Sequence, residues 1–193
     1  MKSLLSRSAA LMLLVAAAPS VAAAQATVIR PDRELTPDET ELRSSMYQLR
    51  DTLAMLAGST SRMLRDFRRT SPAALVSRAR QIEQGCQAGL RNIPKAKEEV
   101  RTHPMRTRLE TAQQQLLLKA YDSLHTVLAH CSETFGAMAQ PGKGEEVRGY
   151  GNARLQSLRE GLKRYGREAD DFFSALRIPN RPLGAGPNPF NNG

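Results

Sequence analysis

LLKAYDSLHTVLAHCSETFGAM, residues 117–138, decides the fold class. Its apolar residues Leu117, Tyr121, Leu124, Leu128, Cys131, Phe135 and Met138 recur in unbroken four-three steps. That spacing puts all seven on one stripe of an α-helix and has nothing of the period-two alternation of a strand. Upstream, Pro104 is expected to open this helix, and downstream Pro141-Gly142 stops it. An amphipathic helix of this kind must bury its stripe against other helices.

Three more such stripes surround it. Thr36-Pro37-Asp38-Glu39 combines an N-cap, a proline at the first helical position and a glutamate placed for a capping box, so a helix starts there. Its seam is Leu42, Met46, Leu49, Leu53, Leu56, Thr60, Met63 and Phe67, with an end near Arg69. Ser71-Pro72 repeats the start signal, and Leu75, Ala79, Ile82, Cys86, Leu90 and Ile93 form the second seam. Pro94 is expected to kink or end that helix, with a short extension over Lys95 to Arg101. The fourth seam is Leu155, Leu158, Leu162, Tyr165, Ala169, Phe172 and Leu176; Gly149-Tyr150-Gly151 blurs its start and Ile178-Pro179 closes it. Four seams with short connections predict an all-α fold, an antiparallel up-down-up-down four-helix bundle over residues 37–178. The alternative is an elongated coiled coil or intertwined dimer, since heptad-like seams serve either.

The ends read differently. Lys2 and Arg7 precede an apolar stretch from Ala9 to Ala18, then Pro19-Ser20 and a run of small residues. This is the layout of a secretory signal peptide over 1–24, with cleavage after 24 or 26. The apolar stretch is shorter than the roughly 20 residues a spanning helix requires, and no later segment is apolar for long enough, so the mature chain is expected to have no transmembrane segment. The expected location is periplasmic or secreted. Residues 25–36 read as an extended segment, and 179–193, rich in Pro, Gly and Asn, as a disordered tail.

Export bears on the two cysteines, because oxidising compartments favour disulfides. Cys86 and Cys131 both lie on core seams. Counted from the turns at one end of the bundle, their heights differ by roughly 6 Å at about 1.5 Å per residue, which a modest stagger closes. An inter-helix disulfide is expected, with intermolecular pairing as the alternative.

The 193-residue chain carries 28 bases and 19 acids, a net +9. Removal of the leader takes Lys2 and Arg7 and no acid, leaving +7. A basic surface favours anionic partners. Arg62, Arg65 and Arg69 lie near one face of the first helix, and Arg159, Lys163 and Arg167 repeat every four residues on the fourth, so both rows are candidate contacts for an anionic envelope surface. Export and the lack of aromatics interleaved with the bases argue against nucleic acid.

No HExxH, GxSxG, phosphate-binding glycine loop or CxxCH occurs, so a non-enzymatic chain without a cofactor is expected. Two pairs could support a metal ion, Asp122 with His125 and His130 with Glu133, each three residues apart on a helix face. Met46-Tyr47-Gln48-Leu49-Arg50-Asp51-Thr52-Leu53 resembles the first-helix segment of the cytochrome b562 family, which implies a haem bundle with Met46 as an axial ligand. That family draws its second ligand from a histidine of the last helix, where Lys163 stands here. Leu35-Thr36-Pro37-Asp38-Glu39 resembles the helix-opening LTxxQ motif of Spy-type periplasmic chaperones, with glutamate replacing glutamine, and implies a non-catalytic cradle for unfolded chains. The leading expectation is an exported bundle with a structural, chaperone-like or partner-binding role, its partner a protein of the envelope or the anionic envelope surface. A haem- or metal-binding bundle is the alternative.

Overall fold

The computed structural model describes residues 34–180. The leader, most of the 25–36 segment and residues 181–193 lie outside the described residues. Four long helices follow in order: α1 (Pro37–Asp66), α2 (Pro72–Thr102), α3 (Arg108–Met138) and α4 (Gly144–Leu176), with a 3-10 turn at Phe67–Arg69. Their neighbours run antiparallel. Lys97 meets Asp122, Cys86 bonds Cys131 and Arg80 reaches Ala139, so contacts descend α2 as they climb α3. Tyr47 against Phe173 and Arg50 against Asp170 run the same way between α1 and α4. The expected antiparallel bundle is formed within one chain.

Start signals behave as local chemistry requires. Thr36 and Glu39 complete a capping box, with Glu39 N–H donating to Thr36 Oγ1 at 3.2 Å and Thr36 N–H to Glu39 Oε2 at 3.0 Å. Ser71 Oγ accepts from Ala74 N–H. The third helix begins at Arg108 rather than at Pro104, because Thr107 and Glu110 make a second capping box there. The fourth begins at Gly144, ahead of the Gly149-Tyr150-Gly151 stretch, which is helical throughout. Gly151 is buried, and a Cβ on it would stand 3.3 Å from the Phe67 ring and from Val147 Cγ1. Closure of α4 uses Arg177 in the left-handed region at φ 56°, and Ile178 N–H donates to Phe173 C=O in the manner of a helix C-cap.

Pro94 neither ends nor bounds α2, which runs on to Thr102. The ring is exposed, so the donor it lacks is missing on the solvent side of the helix rather than in the core. The second seam also differs. Leu90 is only half-buried, and the inward position is Gly89, followed by Ile93, Ala96 and Val100. A Cβ on Gly89 would stand 2.7 Å from Leu128 Cδ1, so the absent side chain sets how closely α2 and α3 approach. The other seam residues are buried as expected, and Thr60 donates its hydroxyl to Leu56 C=O at 2.8 Å within the core.

Ends of helices leave carbonyls unpaired, and α3 supplies the remedy for α2. Buried Gln114 donates Nε2–H to the carbonyls of Val100 at 2.7 Å and His103 at 3.2 Å. Gln114→Leu keeps the volume and strands these buried acceptors, so it is expected to cost about 1–3 kcal/mol. Urea unfolding checks this: a midpoint equal to that of the parent would show the bonds to be dispensable. At the same end, Pro179 and Asn180 extend the ordered chain past α4, since Tyr47 Oη donates to Pro179 C=O and Arg50 Nη1 to Asn180 Oδ1. Those two residues therefore do not share the disorder expected from 179 onward.

Candidate anion-binding cleft

The turn between α1 and α2 builds a cluster of basic side chains. Phe67 is buried and lays its ring against Gly151 of α4, where a Cβ would meet it at 3.3 Å. That contact carries Arg68 and Arg69 of the 3-10 turn, both exposed, up against the first turns of α4. Arg148 ties the two together by donating Nη2–H to Thr70 C=O at 2.9 Å, and Thr70 in turn donates its hydroxyl to Asp66 C=O.

Between these elements lies an open cleft of about 990 Å³ whose walls include Arg65, Arg68, Arg69, Arg148 and Asn152. Asp66 is the single carboxylate on its lining, and its oxygens lie 3.7 Å from Arg65 Nε and 3.5 Å from Arg78 Nη1. Four guanidinium groups against Asp66 and the Glu145 carboxylate beside Arg148 leave the cleft net positive. Arg148 Nε is buried without a hydrogen bond, although the Glu145 carboxylate stands 3.5 Å away as an ion-pair partner. Guanidinium forks match planar or tetrahedral oxyanions, so this is a surface that can bind phosphate, sulfate or carboxylate groups.

Charge is polarised along the whole bundle. Residues 62–80 and 143–148, which make this end, carry eight bases and three acids. Residues 34–43, 95–110 and 168–177, which make the other end, carry seven bases and ten acids. The bundle is therefore positive at one end and negative at the other.

Of the expected cationic contacts, Arg65 and Arg69 line the cleft. Arg62 sits a turn back along α1 and donates to Ser59 Oγ. Arg159, Lys163 and Arg167 lie 11 to 19 residues beyond Arg148 on α4, roughly 16–28 Å along its axis, and do not join the cleft. The structure adds Arg68, Arg148 and Asn152.

Metal and haem candidates are not brought together. Asp122 is taken up by Lys97, His130 Nε2 faces Arg154 Nη1 at 2.9 Å, and among the described residues no group of three His, Cys, Asp or Glu side chains could hold an ion. His125 and Glu133 remain exposed on α3. Met46 is buried on its seam, whereas Lys163 points outward, one step off the inward Leu162 and Tyr165. The first and last helices therefore do not present these two as opposed ligands. Thr36 and Glu39, the Thr and Gln positions of the LTxxQ-like stretch over 35–39, are spent on capping α1.

Among the described residues no helix is long and apolar enough to cross a membrane. Comparison of the chain with protein-family models, with curated proteins and with solved structures finds no match.

Proposed function

We propose that the chain is an exported, non-enzymatic helical bundle that binds an anionic partner in the cell envelope through its basic end. The observation that carries this reading is the cleft of Arg65, Arg68, Arg69 and Arg148 at the positive pole of a charge-polarised bundle. The leader-like residues 1–24 support export. The lack of convergent nucleophile, base or metal ligands in the motifs of the sequence supports a binding role over a catalytic one.

Retention on a heparin column tests it. Arg65→Ser/Arg68→Ser/Arg69→Ser is expected to elute at markedly lower salt than the parent protein. Arg159→Ser/Lys163→Ser/Arg167→Ser removes the same charge from the side of α4 and is expected to shift elution much less, because screening at physiological salt confines each charge to about 8 Å. Equal shifts for the two triple variants would mean that retention follows net charge alone, and the cleft would lose its role.

A further inference from the structure

Resting on that reading of the basic end, we infer that its partner is the surface of a bilayer containing phosphate-bearing anionic lipids, onto which the bundle docks end-on.

The cations come from the α1–α2 turn with the helix ends that flank it, residues 62–80, and from the start of α4, residues 143–148, so three helices contribute to one end of the bundle. An end surface fits a plane of headgroups better than it fits an extended polymer. The helices contain 30 to 33 residues, and at about 1.5 Å per residue the two ends are some 45 Å apart. That is several times the screening length of about 8 Å. Docked upright, the basic end feels the surface while the acidic end stands outside its field. Asp38, Glu41, Glu98 and Asp171, all exposed toward the other end, are held away from the anionic plane when the bundle stands upright.

Tyr150 supplies the second element. It is 66 % exposed, on α4 next to Gly149 of the cleft wall. Helical side chains tilt toward the helix N-terminus, and for α4 that is the basic end. An exposed tyrosine beside arginines suits the headgroup layer, where one end of the ring is apolar and the other wet.

The test uses the protein purified after export. Vesicles of phosphatidylglycerol and phosphatidylcholine should sediment it and pure phosphatidylcholine vesicles should not. Each arginine near an anionic surface contributes about fivefold in partition, so Arg68→Ser/Arg69→Ser should lose roughly 25-fold with an unchanged thermal melt. The chain contains no tryptophan, which allows single reporters. Brominated lipid should quench Tyr150→Trp and leave Leu109→Trp, an exposed site at the acidic end, unaffected. Equal binding to both vesicle types, a loss below about twofold, or equal quenching at both reporters would overturn end-on docking. Heparin retention without vesicle binding would overturn it while leaving the anion-binding reading intact. Loss of both would remove the two together.

Discussion

Replacing Cys86 and Cys131 together by alanine is expected to lower the unfolding free energy by about 4 kcal/mol. The disulfide joins α2 to α3 with Cα atoms 6.2 Å apart and closes a span of 45 residues. A cross-link over that span removes loop-closure entropy from the unfolded chain, which in the chain-entropy model amounts to the stated figure. The folded state loses little, because both sites lie on apolar seams, Cys86 fully buried and Cys131 nearly so. The bundle should therefore still form, with its helices and its cleft in place, and melt roughly 8–16 °C lower for a domain of this size. Serine would be a poorer choice, since it would add two buried hydroxyls to the effect. Guanidinium unfolding with and without reductant gives an independent reading. The parent should lose the same stability on reduction, whereas the alanine pair should be indifferent to reductant. Coincident midpoints for the oxidised and reduced parent would show that the staple contributes nothing. Native reduction should also be slow, since the sulfurs are reached only when α2 and α3 part.

Four helices and their facing residues were legible because each seam is long, regular and nearly free of polar breaks. What stayed hidden depends on residues whose role is set by a neighbour. Gly89 has no side chain to mark the inward position, so half-buried Leu90 stood in for it; only the approach of Leu128 distinguishes them. Proline breaks helices through a lost donor and a clash, but at the exposed outer position of Pro94 α2 continues through it to Thr102. Gly149 and Gly151 look like a loop until Phe67 is placed against Gly151.

The cleft shows the same division. Arg65 and Arg69 lie on a face that helical spacing predicts. Arg68, three residues after Arg65, falls on the same face by that spacing, and the 3-10 turn at Phe67–Arg69 preserves the three-residue alignment. Arg148 is a tertiary contribution: it comes from α4, and nothing in its own segment announces that Thr70 is its partner. Charge polarity along the bundle was present in the sequence all along, yet becomes readable only once the antiparallel order says which segments share an end.

Raising the pH from 10 to 12 should cost the bundle roughly 2 kcal/mol through Tyr165 alone, with Tyr121 adding to it. The two phenols meet in the core between α3 and α4, Tyr165 Oη donating to Tyr121 Oη at 3.3 Å with ring centroids 5.2 Å apart. Both are fully buried, and loss of water around the phenolate pushes Tyr165 up to about 12 and Tyr121 well above its ordinary value. In the unfolded chain both ionise near pH 10. The native state therefore binds more protons than the unfolded state above that pH, so the stability is intact below pH 10 and drains away as the pH climbs toward 12. Absorbance at 295 nm should show two phenols that ionise only as the protein unfolds. Tyr165→Phe should cost about 1–3 kcal/mol at neutral pH, because Tyr121 is left with a buried hydroxyl and no partner. Tyr121→Phe/Tyr165→Phe removes both hydroxyls, so it should recover most of that loss at neutral pH and flatten the alkaline decline. An alkaline slope as steep in the double variant as in the parent would place the titrating groups elsewhere, and the buried pair would then be only a feature of packing.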